Sequence, residues 1–147
     1  MNLALKRQFT KQYANNYVET AVSEATPHKL VEMLYDGAIK NMNLAKVFIE
    51  QKNYEKKAEH VNKALAILNA LRAGVDLEKG GDVAQNLYDL YDYCYRTLFN
   101  VSAQNDTKQL DEVLGHITVV SEAWREMPDN FKRVSKEQLE KVSSIKK

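Results

Sequence analysis

No proline stands between Pro27 and Pro128, and the five glycines of the chain fall at only four places within that interval. Proline and glycine are the residues that most reliably interrupt a helix. A long stretch so poor in them folds into long helices unless a strand pattern competes. None does: no segment alternates apolar and polar residues with β-branched enrichment between turn signals. The apolar residues recur instead at spacings of three and four, the mark of helices with one buried face.

The few breakers and polar joints divide this stretch into four. Thr26-Pro27 reads as an N-cap followed by the residue best tolerated at the first helical position. The helix that follows runs to about Glu50. Its polar stripe is Lys29, Glu32, Asp36, Lys40, Asn43, Lys46 and Glu50, and nearly everything else in it is apolar. So wide an apolar arc predicts a helix covered on more than one side.

Gln51-Lys52-Asn53 is a short joint, which makes the next helix, about Tyr54 to Ala73, an antiparallel neighbour with Ala58, Val61, Leu65, Leu68 and Leu71 inward. Gly74 ends it, and Val75 to Gly81 form the longest internal loop. Asp82 and Gln85 have the spacing of a capping box for a third helix, about Val83 to Ala103. Gln104, Asn105 and Asp106 turn the chain into a fourth helix that reaches about Met127. It carries Leu110, Val113, Leu114, Ile117, Val120 and Trp124 on one face, and Pro128 stops it.

The expected fold is therefore all-α: an antiparallel four-helix bundle over 26–127, an N-terminal arm over 1–25 packing on it, and a C-terminal tail over 128–147. Ser135 and Gln138 could open a short helix in that tail. The arm holds Leu3, Leu5, Phe9, Tyr13, Tyr17, Val18 and Val22 without a strong cap, so it is too apolar to be left bare.

Charge and composition narrow the function. The tail carries six bases against three acids, whereas 26–127 carries twelve bases against fifteen acids. A mildly acidic body with a basic, partly disordered tail is not the basic stripe that nucleic-acid binding requires. No run approaches the length of a membrane span, so no membrane insertion is expected. The N-terminus has no apolar core of secretory length, and the single cysteine, Cys94, rules out an internal disulfide and suits a reducing cytoplasm.

Catalytic and metal signatures are missing. A bundle with a di-iron site presents Glu-x-x-His on two helices, but none of His28, His60 and His116 stands three residues after a glutamate. The three read as surface histidines. Asp89 and Asp92 share a polar stripe with Gln85 and Arg96 and read as a solvated face. Cys94 falls on a core stripe as a small buried hydrophobe, and Gly80-Gly81 lacks the Lys-Ser/Thr of a phosphate loop. The expectation is no enzyme, no metal and no cofactor.

What remains is a surplus of aromatic surface on the third helix. Tyr91 shares the inward stripe with Leu87, Cys94 and Leu98. Tyr88, Tyr95 and Phe99 lie on one flank of it, and Tyr93 with Leu90 on the other. Periodicity alone leaves two readings of the flank: a wide core face with half-wet tyrosines, or the wall of a groove for a partner helix. Should the flank prove to be core, the alternative groove runs along the second helix near Ile67.

Residues 23–45, SEATPHKLVEMLYDGAIKNMNLA, resemble the signature of the flagellin secretion chaperones, the FliS family. Four further stretches agree in order and spacing: QYANNYVETAV at 12–22, AGVDLEKGGDVAQNLYDLYDY at 73–93, the Asn-Asp turn at 105–106, and EAW at 122–124. The resemblance covers 10–127 and departs beyond Pro128. It implies a cytoplasmic helical bundle that binds the C-terminal segment of flagellin, prevents its premature polymerisation and assists its delivery to the flagellar type III export gate. It also implies that the arm, with Tyr13 and its neighbours Tyr17 and Val18, covers the client groove and is displaced on binding. A helical adaptor for a different partner is the rival reading.

Overall fold

The computed structural model describes residues 27–126. It contains four helices: α1 Pro27–Glu50, α2 Tyr54–Ala73, α3 Gly81–Gln104 and α4 Thr107–Arg125. No strand occurs among the described residues. The arm, with Tyr13, Tyr17 and Val18, the Thr26 cap and the tail beyond Glu126 lie outside them. α1 packs on α2 and α4, and α3 packs on the same two, so the helices stand at the corners of a square with α1 and α3 across a diagonal. Two covered sides account for the wide apolar arc of α1.

The joints are explained by local chemistry. After α1 the Asn53 amide donates to Phe48 O (2.8 Å) and the Lys52 amide to Ile49 O (3.0 Å), with Lys52 at φ 59°. This is the six-to-one and five-to-two pattern that closes a helix on a left-handed residue. The Asn53 side chain then accepts from Lys56 N and opens α2. At the other short joint, Asn105 takes the left-handed conformation (φ 55°) and donates to Val101 O, while Asp106 accepts from Lys108 N and Gln109 N. The Asn-Asp pair thus splits the work of ending α3 and starting α4.

The capping box expected at Asp82 and Gln85 does not form. α3 starts at Gly81, behind Gly80, with no side-chain cap, and Gln85 donates instead to Asp89 (2.8 Å). The glycines explain the earlier start. A Cβ on Gly80 would sit 2.3 Å from Ala84 Cβ, and Gly81 has φ +58°, so the chain turns more tightly than a side chain at Gly80 would permit. Asp82 falls inside the first turn, where its backbone is already helical.

The core forms along the square's axis from the residues that share the inward stripes. Met42 and Ala45 of α1, Val61 and Leu68 of α2, Cys94 and Leu98 of α3, and Val113 and Ile117 of α4 are all fully buried. One layer crosses the diagonal: Tyr35 and Tyr91 are 1% and 2% exposed, and their hydroxyls hydrogen-bond to each other. Both hydroxyls titrate above the ordinary tyrosine range because burial disfavours the phenolate.

Candidate functional site

The flank of α3 predicted from sequence faces the seam with α2, and the three rings do not share one environment. Phe99 is 63% exposed, whereas Tyr95 is half-buried and packs against the core. Tyr88 is also half-buried. Phe99 borders a notch of about 200 Å³ with Asn62 and Leu65 of α2 and Ser102 and Ala103 of α3. Tyr95 is roofed by a residue that sequence reasoning missed. The Arg72 guanidinium stands 4.6 Å from the centre of its ring, donating to Asp92 (2.7 Å) and Asn69 (2.9 Å). Cation and ring attract through the ring quadrupole.

Asp92 therefore departs from the solvated stripe assigned to it. At positions 88, 92, 95 and 99 the spacing of four, three and four places Asp92 on the same face as the aromatic rings. Its carboxylate is shared between Arg72 and Arg96, the latter at 3.1 Å. Ile67 is not part of this flank. It lies in the seam between α1 and α2, where its Cδ1 would be 3.1 Å from a Cβ placed on Gly37.

Further along the same seam, at the end where α1 begins and α4 ends, the bundle opens into a cavity of about 610 Å³. Leu30, Val31 and Leu34 of α1 form one wall. Leu71 of α2 with Val83 and Leu87 of α3 form the other, and Tyr35, Tyr91 and Trp124 also line it. The walls are apolar because α2 and α3 are joined here by the longest loop, which holds its own turn through Asp76 accepting from Glu78 N and Lys79 N. Val83, at the rim, is 77% exposed.

At this end α1 and α4 are clasped together. His28 stacks on Trp124 (centroids 4.8 Å apart, 18° between planes), its Nε2 lies 2.9 Å from Trp124 O, and Trp124 Nε1 donates to His28 O (2.9 Å). His28 is 5% exposed, so the surface reading of this histidine is corrected. Its partner is ninety-six positions away, beyond the reach of any local pattern. His60 is half-buried as well, stacked on Phe48 and 2.9 Å from Asn41 Oδ1. His116 sits at the surface 3.6 Å from Glu112, which accepts from the Tyr93 hydroxyl at 2.5 Å.

These groups offer binding surface in place of reactive chemistry. Burial pushes the Cys94 thiol up to about 12, far from a thiolate nucleophile at neutral pH. Among the described residues no cluster of three or more His, Cys, Asp or Glu converges as metal ligands would. No described helix is long and apolar enough to cross a membrane.

Residues 9–130 match the family described as Flagellar protein FliS. The chain belongs to the FliS family. It is 44% identical to the flagellar secretion chaperone FliS of Salmonella typhimurium over 118 residues, which is 80% of this chain and 87% of that protein. It is 36% identical to the FliS of Vibrio cholerae over 119 residues, 81% of this chain and 88% of that one.

Three of the stretches that resemble the family, 23–45, 73–93 and 122–124, each send side chains into the single end cavity: Leu30, Val31 and Leu34 from the first, Val83 and Leu87 from the second, Trp124 from the third. Tyr95 and Phe99 lie outside those stretches, further along the same seam.

Proposed function

We propose that this protein is a cytoplasmic export chaperone that binds the C-terminal segment of flagellin as a helix along the α2–α3 seam, prevents its premature polymerisation, and helps deliver it to the flagellar type III export gate. It acts by binding and not by catalysis. The observation that carries the reading is the seam itself. The apolar cavity stands at one end, and Phe99, left open by the fold, stands at the other. From Ala84 to Ala103 the rise of a helix places these ends roughly 28 Å apart, the length of a client helix of about twenty residues. An amphipathic segment that is poorly folded alone gains helix by burying its apolar face in such a groove.

The arm fits the same scheme. Pro27 begins α1 one turn before Leu30 and Val31 of the cavity wall, so Tyr13, Tyr17 and Val18 belong to a segment leading to the mouth of the client site. Covering it with this apolar segment would lower client affinity by the fraction of time the cover is in place, easing release at the gate.

Titration with a peptide of the flagellin C-terminus, followed by circular dichroism, tests the reading. One-to-one binding with a gain in helix beyond the sum of the parts is expected, and a purely additive spectrum would count against coupled folding. Deletion of residues 1–20 should preserve the thermal transition and bind the peptide at least as tightly. Weaker binding by the truncated chain would show that the arm is part of the site and not its cover.

A further inference from the structure

The middle of the seam carries a charge that an apolar groove does not need. Arg72 and Arg96 share the single carboxylate of Asp92, so the aromatic flank holds two cations against one anion. The arrangement is built on three further contacts: Arg72 lies over Tyr95, is braced by Asn69, and has a side chain only 21% exposed. Arg96 is different. It is held by one pair on its own helix, and its side chain is 72% exposed at the rim of the groove. Asp89, one turn before, is hydrogen-bonded to Gln85 and projects outward from the helix.

We infer that Arg96, with Arg72 behind it, is a specificity-determining centre that recognises a client helix bearing a carboxylate between two apolar turns. The inference rests on the chaperone reading of the seam. One apolar turn meets the end cavity, the other meets Phe99, and the client's acid exchanges with Asp92 for Arg96 at the midpoint. Arg72 keeps Asp92 as its counter-ion throughout. A purely apolar helix gains nothing from this centre, and a helix with lysine there is opposed by it. Such a complementary charge selects partner and register more than it adds bulk affinity.

The test uses the full chain and a flagellin C-terminal peptide, alongside the same peptide with its carboxylate side chains changed to amides one at a time. Affinities are measured at low salt and at about 1 M salt, where the screening length falls to about 3 Å. Arg96→Glu should weaken the unmodified peptide roughly tenfold or more at low salt. It should leave one particular amide peptide unaffected and lose its effect at high salt. Asp92→Asn should tighten the unmodified peptide, the reverse of what loss of a merely structural ion pair would do. Melting curves confirm that each variant is folded. If the wild type binds the peptide and neither variant changes its affinity at low salt, the cationic centre is refuted while the chaperone reading stands. If the wild type binds none of the peptides, that reading falls and this inference with it.

Discussion

Tyr91→Ala removes a ring that is 2% exposed and whose hydroxyl meets Tyr35 across the diagonal of the bundle. Truncating a buried aromatic costs about 3–5 kcal/mol. Stranding the Tyr35 hydroxyl adds about 1–3 kcal/mol where the site stays dry. Here the end cavity borders both rings and lets water reach that hydroxyl, so the sum stays near the lower figures, about 4 kcal/mol. For roughly a hundred ordered residues each kcal/mol moves the midpoint by about 4 °C, so Tm should fall by about 16 °C.

Phe99→Ala is the contrast on the same helix. With 63% of Phe99 already in water, only about a third of the ~1.5–3 kcal/mol for burying such a side chain is at stake, under about 1 kcal/mol. If Phe99 anchors the client, the same change should cost about 2 kcal/mol of binding, near thirtyfold in Kd. Tyr95→Ala should fall between the two in stability, since Tyr95 packs on the core and supports Arg72. Thermal melts and peptide affinities for all three variants decide the matter. A Phe99→Ala protein as destabilised as Tyr91→Ala would refute the division of this helix into core and client faces.

The His28–Trp124 clasp can be read through the single tryptophan of the chain. His28→Ala should shift its emission to the red and cost roughly 2 kcal/mol through lost packing and an unpaired carbonyl; an unchanged emission maximum would show that the stack contributes nothing to burying Trp124. Alkaline pH should destabilise the protein. Cys94, Tyr35 and Tyr91 are all raised above their ordinary values of 9.0 and 10.0 by burial. The unfolded chain therefore loses these protons first, and stability is intact below about pH 9 and declines as pH rises toward 12. Urea midpoints between pH 8 and 11 should show this decline, with a shallower slope in Tyr91→Phe; a flat profile would contradict the burial of these groups.

The number of helices, their approximate ends and their inward stripes were determined by sequence alone. Helical periodicity and breakers act over a few residues, so Leu68, Tyr91, Cys94 and Ile117 could be assigned to the core without knowing their partners. Family membership was legible for a related reason: its signature is a set of ordered local stretches. The candidate site was only partly legible. Sequence marked the Tyr88–Tyr95–Phe99 flank as surplus, but not that Arg72 roofs Tyr95, that Phe99 stays open, or that Asp92 stands among the rings. Nor did it show that Ile67 turns toward α1 and His28 beneath Trp124. Each of those outcomes depends on a residue from another helix, twenty to ninety-six positions away, reaching a particular side of its neighbour. A helical pattern tells which face is apolar. Only the packing of four helices at the corners of a square tells which part of that face remains uncovered.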